Sequence, residues 1–298
     1  MRKIKIVMLA GILVTLVFGS YAIPVQAAQE PLSMVIFPRR NVKITHRLFQ
    51  PLAQYLSVKL DREVRLVTPG NFEGFWHILT RGDFDLVHLN QYHFIVARER
   101  YGLEAILKNV EFGSSSMRGV IAVRKDSGLQ SLQQLKGKKI LFGGGRRAMI
   151  SYIVPTMLLR NAGLNKGDYR ESFAKNPPNA YISVFHKHAQ AVGTSSVVTR
   201  LNVVTNAVDV SQMKVLAEGP ELPQLPWAVT REMPVELRKT IQRVLSNLSR
   251  HAEGQAILDK AQLSAIEPAT NEEYAPYRDI ILRVQPDALS NTSSKTKK

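Results

Sequence analysis

The chain has 298 residues, no cysteine and a formal charge of +16 at neutral pH. That length can bury a large core divided between two lobes, and it excludes disulfides and thiolate metal sites as sources of stability. The basic balance fits an anionic solute, an anionic membrane surface or simply a soluble basic exterior, and for an exported chain no nucleic acid is expected as a partner.

Export is expected from the N-terminus. Arg2, Lys3 and Lys5 precede an apolar run from Ile6 to Ala22, and Val25-Gln26-Ala27 supplies a small-x-Ala site. This order of charge, apolar core and small residues describes a cleavable secretory signal over residues 1–27. The run is shorter than the roughly 20 apolar residues of a spanning helix. Without a cysteine after the signal there is no lipid tether, so a freely diffusing periplasmic protein is expected.

Past the signal, strands and helices alternate. Leu32 to Phe37 reads as a buried strand, and Ile44 to Leu60 as an amphipathic helix that Pro51 should kink or restart. A strand at 63–67, a helix at 72–80, a strand at 84–89 and a helix at 92–101 follow, two successive strand–helix–strand units. A break comes at Gly113 to Ser116. Beyond it the pattern predicts strands at 119–123 and 139–142, a short helix at 129–135, and a helix from Ala148 to Ala162 closed by Gly163. A helix at 181–188 and a strand at 189–193 come next. From Met213 on, strands at 214–217 and 227–229 and helices at 235–248 and 253–260 are predicted. The polar tail 290–298 cannot bury a core and is expected to be disordered.

Several spaced segments resemble one family. Phe49-Gln50-Pro51-Leu52-Ala53-Gln54-Tyr55-Leu56 is similar to a helix of the phosphate/phosphite/phosphonate-binding proteins of ABC transporters. Val123 to Gly128, with Ser131-Leu132 and Leu135 to Lys138, resembles another of its segments, and Phe142, Pro155, Leu158, Leu159 and Ala162 to Leu164 continue the match. The resemblance covers most of residues 32–200 and weakens toward 280. It implies an α/β, two-lobed type II periplasmic binding protein fold with a mixed sheet in each lobe and a ligand cleft between them. Lobe 1 is then expected over 28–113 plus 212–289 and lobe 2 over 114–211, with hinges near Gly113–Met117 and Asn202–Asp209. The implied role is capture of a small anionic solute and its delivery to an inner-membrane ABC permease. The alternative is a sensing module serving a membrane-bound signalling protein. A monomer is expected.

Three pocket elements depart from the family. Its Ser-Thr-Ser hydroxyls fall on Ala148, Met149 and Ile150, leaving Ser151; its His-Asp falls near Pro177-Pro178; and its aromatic turn becomes Leu89 to Phe94. A phosphonate specificity therefore does not carry over.

The candidate ligand residues lie at strand ends, and Ala148, Met149, Ile150 and Ser151 are counted among them because the resemblance places the ligand loop there. Gly143-Gly144-Gly145-Arg146-Arg147 runs from a strand into a helix, where free N–H groups and two guanidinium forks suit an anion; a plain tight turn with solvated arginines is the alternative. Arg39 and Arg40 after the first strand, and Asn90 and Tyr92 after the third, occupy comparable places. Thr194 and Ser195 end the strand at 189–193, either donating to an anion or capping the next segment. The arginine pair at 146–147 is expected to contribute jointly to binding while leaving folding intact. No metal or other cofactor is expected: the closest histidines, His88/His93 and His186/His188, lack i, i+4 spacing. No catalytic motif appears, so an enzyme is not expected.

Overall fold

The computed structural model describes residues 29–290; the expected signal over 1–27 and all of the expected tail beyond residue 290 lie outside the described residues. The chain runs through β1 (Leu32–Ile36), α1 (Val42–Leu60), β2 (Val64–Val67), α2 (Phe72–Arg81), β3 (Leu86–His88), α3 (Gln91–Tyr101) and β4 (Glu104–Val110). A short strand, β5 (Ser116–Met117), leads to β6 (Gly119–Arg124), β7 (Lys139–Gly143), α4 (Val154–Asn161), β8 (Arg170–Ala174) and α5 (Pro177–Phe185). β9 (Ala191–Ser195), α6 (Asn202–Thr205) and β10 (Met213–Glu218) follow. β11 (Leu222–Pro223) then returns the chain to β12 (Pro226–Val229), α7 (Val235–Ser246), α8 (Ala252–Ala261), β13 (Ala265–Pro268) and α9 (Ala275–Val284).

Helix starts obey one rule in four places. Asn41, Asn71, Asn90 and Asn176 each sit in extended backbone and accept the N–H three residues ahead through the side chain. This satisfies one of the donors that a helix N-terminus leaves free. Helix α1 spans Pro51 as a single element, so the expected restart does not occur. Its buried stripe of Phe49, Leu52, Ala53 and Leu56 presses on the sheet and holds it continuous.

Two sheets define the lobes. The first has the order β13-β4-β12-β3-β1-β2 and the second β10-β6-β9-β7-β8. In the first, β1 pairs in parallel with β2 and β3, while β12 runs antiparallel between β3 and β4. In the second, β7 is parallel to β8 and β9, and β6 is antiparallel to β9 and β10. The segments that follow the parallel strands β3 and β7 meet at the junction, Arg147 beside Tyr92 and His93, at strand carboxyl ends, where α/β sheets carry ligands.

The return to the first lobe lies later than the sequence pattern suggests. Residues 202–209, expected as the second hinge, include α6 and pack in the second lobe, and β10 still pairs with β6 as far as Glu218 opposite Val120. The expected boundary at 212 thus falls before a strand that the second sheet holds. The crossing is made by β5 and β11, which pair antiparallel, Met117 with Leu222 and Ser116 with Pro223. Buried side chains pin this ribbon: Tyr277 donates to the Pro223 carbonyl at 2.6 Å, Tyr274 to the Gln224 carbonyl at 2.8 Å, and Gln91 to the Pro223 carbonyl at 3.2 Å.

Three apolar clusters fill the layers. One lies between the first sheet and α1, α7 and α8; another lies between the second sheet and α5. The largest runs without a break from α2 and α3, past α9, to the α4 face of the second sheet. No helix among the described residues is long and apolar enough to cross a membrane. Strands β4, β8 and β13 and helix α9 carry no clean alternation or stripe between turn signals, and the sequence pattern does not reveal them.

Candidate functional site

The cleft is bounded on the first lobe by the residues that come after β1, β3 and β4. Phe37 leaves β1 with its N–H bonded to the His88 carbonyl at 3.0 Å, which fixes the start of the arginine loop. Arg39 donates through Nη1 to Glu111 Oε1 at 3.1 Å; the Glu111 side chain is only 7 % exposed, so this carboxylate has surrendered its water to that partner. Arg40 reaches across to Gln262, in the turn between α8 and β13, and donates to its Oε1. Burial and then the neighbouring Arg39 push the Arg40 guanidinium down to about 10 against the opposing pull of Glu111, so it stays charged at neutral pH, and among the described residues it forms no ion pair.

Below these arginines lies His88, in register with Ile36 on one side and Trp227 on the other. It is buried, its ring stacks on Trp227 at 4.4 Å and meets the edge of Phe37 at 5.4 Å. Neither ring nitrogen has a hydrogen-bond partner of normal geometry. Asn109 is close enough to favour the charged form slightly, but its amide is committed: Oδ1 accepts from Trp227 Nε1 at 2.9 Å and Nδ2 donates to Glu111. Burial, reinforced by Arg39 and Arg40, pushes the imidazole down to about 3, so His88 is neutral. A small cavity reaches it, lined also by Thr45 of α1 and by Leu201 of the second lobe.

A second cluster sits at the start of α3. Asn90 Oδ1 accepts the His93 N–H at 2.9 Å and lies 2.8 Å from His93 Nδ1. Since that oxygen can only accept, the neutral imidazole is assigned its proton on Nδ1. Burial, with Arg147 adding to it, holds His93 near 3. Phe72 stacks on its ring at 5.1 Å and 11°. Arg147 comes from the other lobe and sits beside Tyr92 and His93, so this cluster spans the cleft. Arg200, also from the second lobe, lies over the Phe112 ring at 5.0 Å.

On the second lobe the glycine loop is built by close approach. A Cβ on Gly143 would stand 2.3 Å from the Pro177 backbone, and Gly144 takes φ +91°, a region open chiefly to glycine. The turn after it is widened: residues 149–153 bond in the i→i+5 pattern, and the N–H groups of Tyr152 and Ile153 both donate to the Ala148 carbonyl. Such π-turns cluster at functional sites.

The solved structures that this chain resembles share this two-lobed arrangement. A binding-protein component of an ABC phosphonate transporter from Pseudomonas aeruginosa is 15 % identical, with 89 % of each chain covered and a TM-score of 0.70. PhnD1 from Prochlorococcus marinus in complex with methylphosphonate is 19 % identical, with 85 % of this chain and 97 % of that one covered and a TM-score of 0.71. A Xanthomonas citri protein bound to ATP is 16 % identical, with 86 % and 97 % covered and a TM-score of 0.73. Residues 34–274 match the family of periplasmic substrate-binding proteins of ABC phosphonate transporters. The chain belongs to that family. Its members are transport receptors rather than enzymes, and they work in the periplasm with an ABC permease. Membership favours this role over the sensing module.

Within this family member the expected site residues divide sharply. Arg146 is not free: Nη2 lies 2.6 Å from Glu171 Oε2, Nη1 donates to Tyr152 Oη at 2.9 Å, and the guanidinium covers Phe173 at 5.3 Å. Of the two adjacent arginines, Arg147 is the one that faces the first lobe. Met149 and Ile150 are buried in the main apolar cluster, Ala148 packs against it, and Ser151 donates to the Gly143 carbonyl inside the lobe. Gly144 spends its N–H on Ala174, and Gly145 accepts from Ala148. Thr194 points to the α5 side, because Gly193 on the opposite face meets Phe142, and its buried hydroxyl has no partner. Ser195 is half-buried at the strand end. Asn90 is a helix cap. Arg39, Arg40, Tyr92 and Arg147 remain on the cleft. His88, Glu111 and Gln262 join them unforeseen. His88 could have been found from its place at a strand's carboxyl end; Gln262, distant by 222 residues from Arg40, carries no signal in the sequence.

Proposed function

We propose that this receptor takes a small anionic solute between its lobes, closes about the β5–β11 ribbon and presents the solute to its permease. The observation that carries the reading is a pair of arginines that form no ion pair among the described residues, Arg40 on the first lobe and Arg147 on the second. They stand on opposite lobes, so an anion that both guanidiniums hold draws the lobes together. The methylphosphonate bound by the Prochlorococcus relative supports a phosphorus oxyanion as the headgroup. The ATP of the Xanthomonas relative supports the same chemistry on a larger ligand. Residues 1–27 serve as the cleaved export signal, and the mature chain begins at Ala28 and acts as a monomer that binds its solute without transforming it.

Calorimetry and small-angle scattering with inorganic phosphate, methylphosphonate, methanesulfonate and acetate test the reading. Binding of at least one anion with a smaller radius of gyration is expected, and it is lost in the Arg40→Ala/Arg147→Ala double variant. Silence with all four anions overturns it. N-terminal sequencing of the periplasmic protein checks the cleavage point.

A further inference from the structure

Phe112 is a costly residue for the place it occupies. With Gly113 it forms a two-residue turn after β4, closed by Glu111 and Ser114, each of whose N–H groups donates to the other's carbonyl at 3.0 Å. Both central residues have positive φ, +54° at Phe112 and +75° at Gly113. Glycine or asparagine suits the first of these places, and a bulky aromatic there strains the backbone. The fold does not recover that strain by burying the ring. Phe112 is 37 % exposed and belongs to none of the three apolar clusters.

The turn is fixed to the first lobe. Glu111 pairs with Arg39 at 3.1 Å, and the Gly113 N–H donates to Ser264 Oγ at 3.0 Å, beside the start of β13. What the ring meets comes from the second lobe. The Arg200 guanidinium, at the end of the turn that follows β9, lies over it at 5.0 Å. The next residue, Leu201, lines the first-lobe recess together with Phe112, Arg39 and Arg40. On either side of these two residues, Val198 and Val204 are buried in the α5-side cluster, so Arg200 moves with the second lobe.

Resting on the hinge of the receptor reading above, we propose that Phe112 and Arg200 are positioning residues that form an interlobe latch. The latch favours, before any solute binds, the arrangement in which Arg147 stands beside Tyr92 and His93. A cation over an exposed aromatic face shifts such an equilibrium by roughly two- to fivefold. A solute that binds only the closed lobes gains the same factor in affinity while the closed form is the minor one, because the competent fraction of receptor rises with it. Phe112 therefore contributes across the lobes what it does not contribute to a core.

The test measures the lobe separation directly. The chain has no cysteine, so Glu73→Cys and Lys175→Cys, at exposed residues that follow the edge strands β2 and β8, carry one spin label on each lobe. In the ligand-free protein, Phe112→Asn, which suits the positive φ, and Arg200→Ala are each expected to lower the ratio of short to long distances by roughly two- to fivefold. The double variant is expected to lower it no further, since either change alone removes the contact. A ratio that is unchanged or raised overturns the proposal, and so do additive effects in the double variant. Urea midpoints near that of the unaltered protein are expected; a large drop in Phe112→Asn would mean that the ring serves the fold, and overturns the latch. Calorimetry with inorganic phosphate, methylphosphonate, methanesulfonate and acetate should show the same factor lost for each anion that binds. If none of the four binds the unaltered protein, the receptor reading falls, and the label distances alone decide the latch.

Discussion

Two arginine–histidine clusters face the cleft, and they differ in how far the protein itself completes them. At the start of α3, His93 has its Nδ1 proton on Asn90 Oδ1 and Phe72 stacked on its ring. At the end of β3, His88 is equally buried yet has neither nitrogen bonded. The arginine dipeptides divide the same way. Arg146 is held by Glu171 and Arg39 by Glu111, while Arg147 and Arg40 form no ion pair among the described residues. In each dipeptide one residue builds the wall and the other is left to act. The lesson is that doubled arginines at a strand end do not form one unit: a carboxylate holds one of each pair.

The largest expected effect is shared by both clusters and comes from acid. The unfolded chain protonates a histidine near the ordinary 6.5, whereas folded His88 and His93 resist until about 3. Between those values the unfolded state binds more protons, so stability is full above pH 6.5 and is lost as pH falls toward 3. Each histidine contributes about 1.4 kcal/mol per pH unit, so together they remove ~5 kcal/mol between pH 6.5 and 4.5. Urea titrations across that range measure it, and His88→Phe should halve the slope. A slope that the substitution leaves unchanged would mean that His88 is not the buried neutral group described here.

The next effect separates the acting arginines from the building ones. Arg40→Ala and Arg147→Ala should each weaken anion binding by about 1.5–3 kcal/mol, with stability close to that of the unaltered protein. Arg146→Ala should do the reverse. It strips a partner from Glu171, whose side chain is 11 % exposed, and uncovers Phe173, so a stability loss of about 1–2 kcal/mol is expected with affinity unchanged. Calorimetry beside chemical denaturation reads both axes. An affinity loss in Arg146→Ala equal to that in Arg147→Ala would dissolve the distinction and restore the arginine pair as a joint anion site.

Much of the scaffold can be read without coordinates because it obeys local rules. The buried strand at Leu32, the stripe of α1 and the turn at Gly163 all announce themselves through spacing and punctuation. The return strand is different. Met213 to Glu218 reads as a strand either way, and which sheet it joins depends on its ladder with β6, a contact between residues some ninety positions apart. The site is harder still. Arg146 and Arg147 are adjacent and chemically alike, and only Glu171 on the neighbouring strand tells them apart. His88 looks like half of an unconvincing metal pair until its idle nitrogens and the arginines above it are seen together.

Asn90 supplies the smallest and finest division of the two clusters. Its side-chain oxygen serves two donors at once, the His93 N–H that begins α3 and the His93 ring proton. Asn90→Ala removes both services and should cost about 1 kcal/mol as a lost cap, plus the burden of an imidazole N–H left buried. Asn90→Ser keeps the cap, because serine caps about as well as asparagine, but its hydroxyl is too short to serve the ring as well. The difference in unfolding free energy between the two variants therefore isolates the ring bond. A serine variant as stable as the unaltered protein would show that the His93 ring proton does not depend on Asn90. His93 would then be left as unfinished as His88, and the contrast between the clusters would disappear.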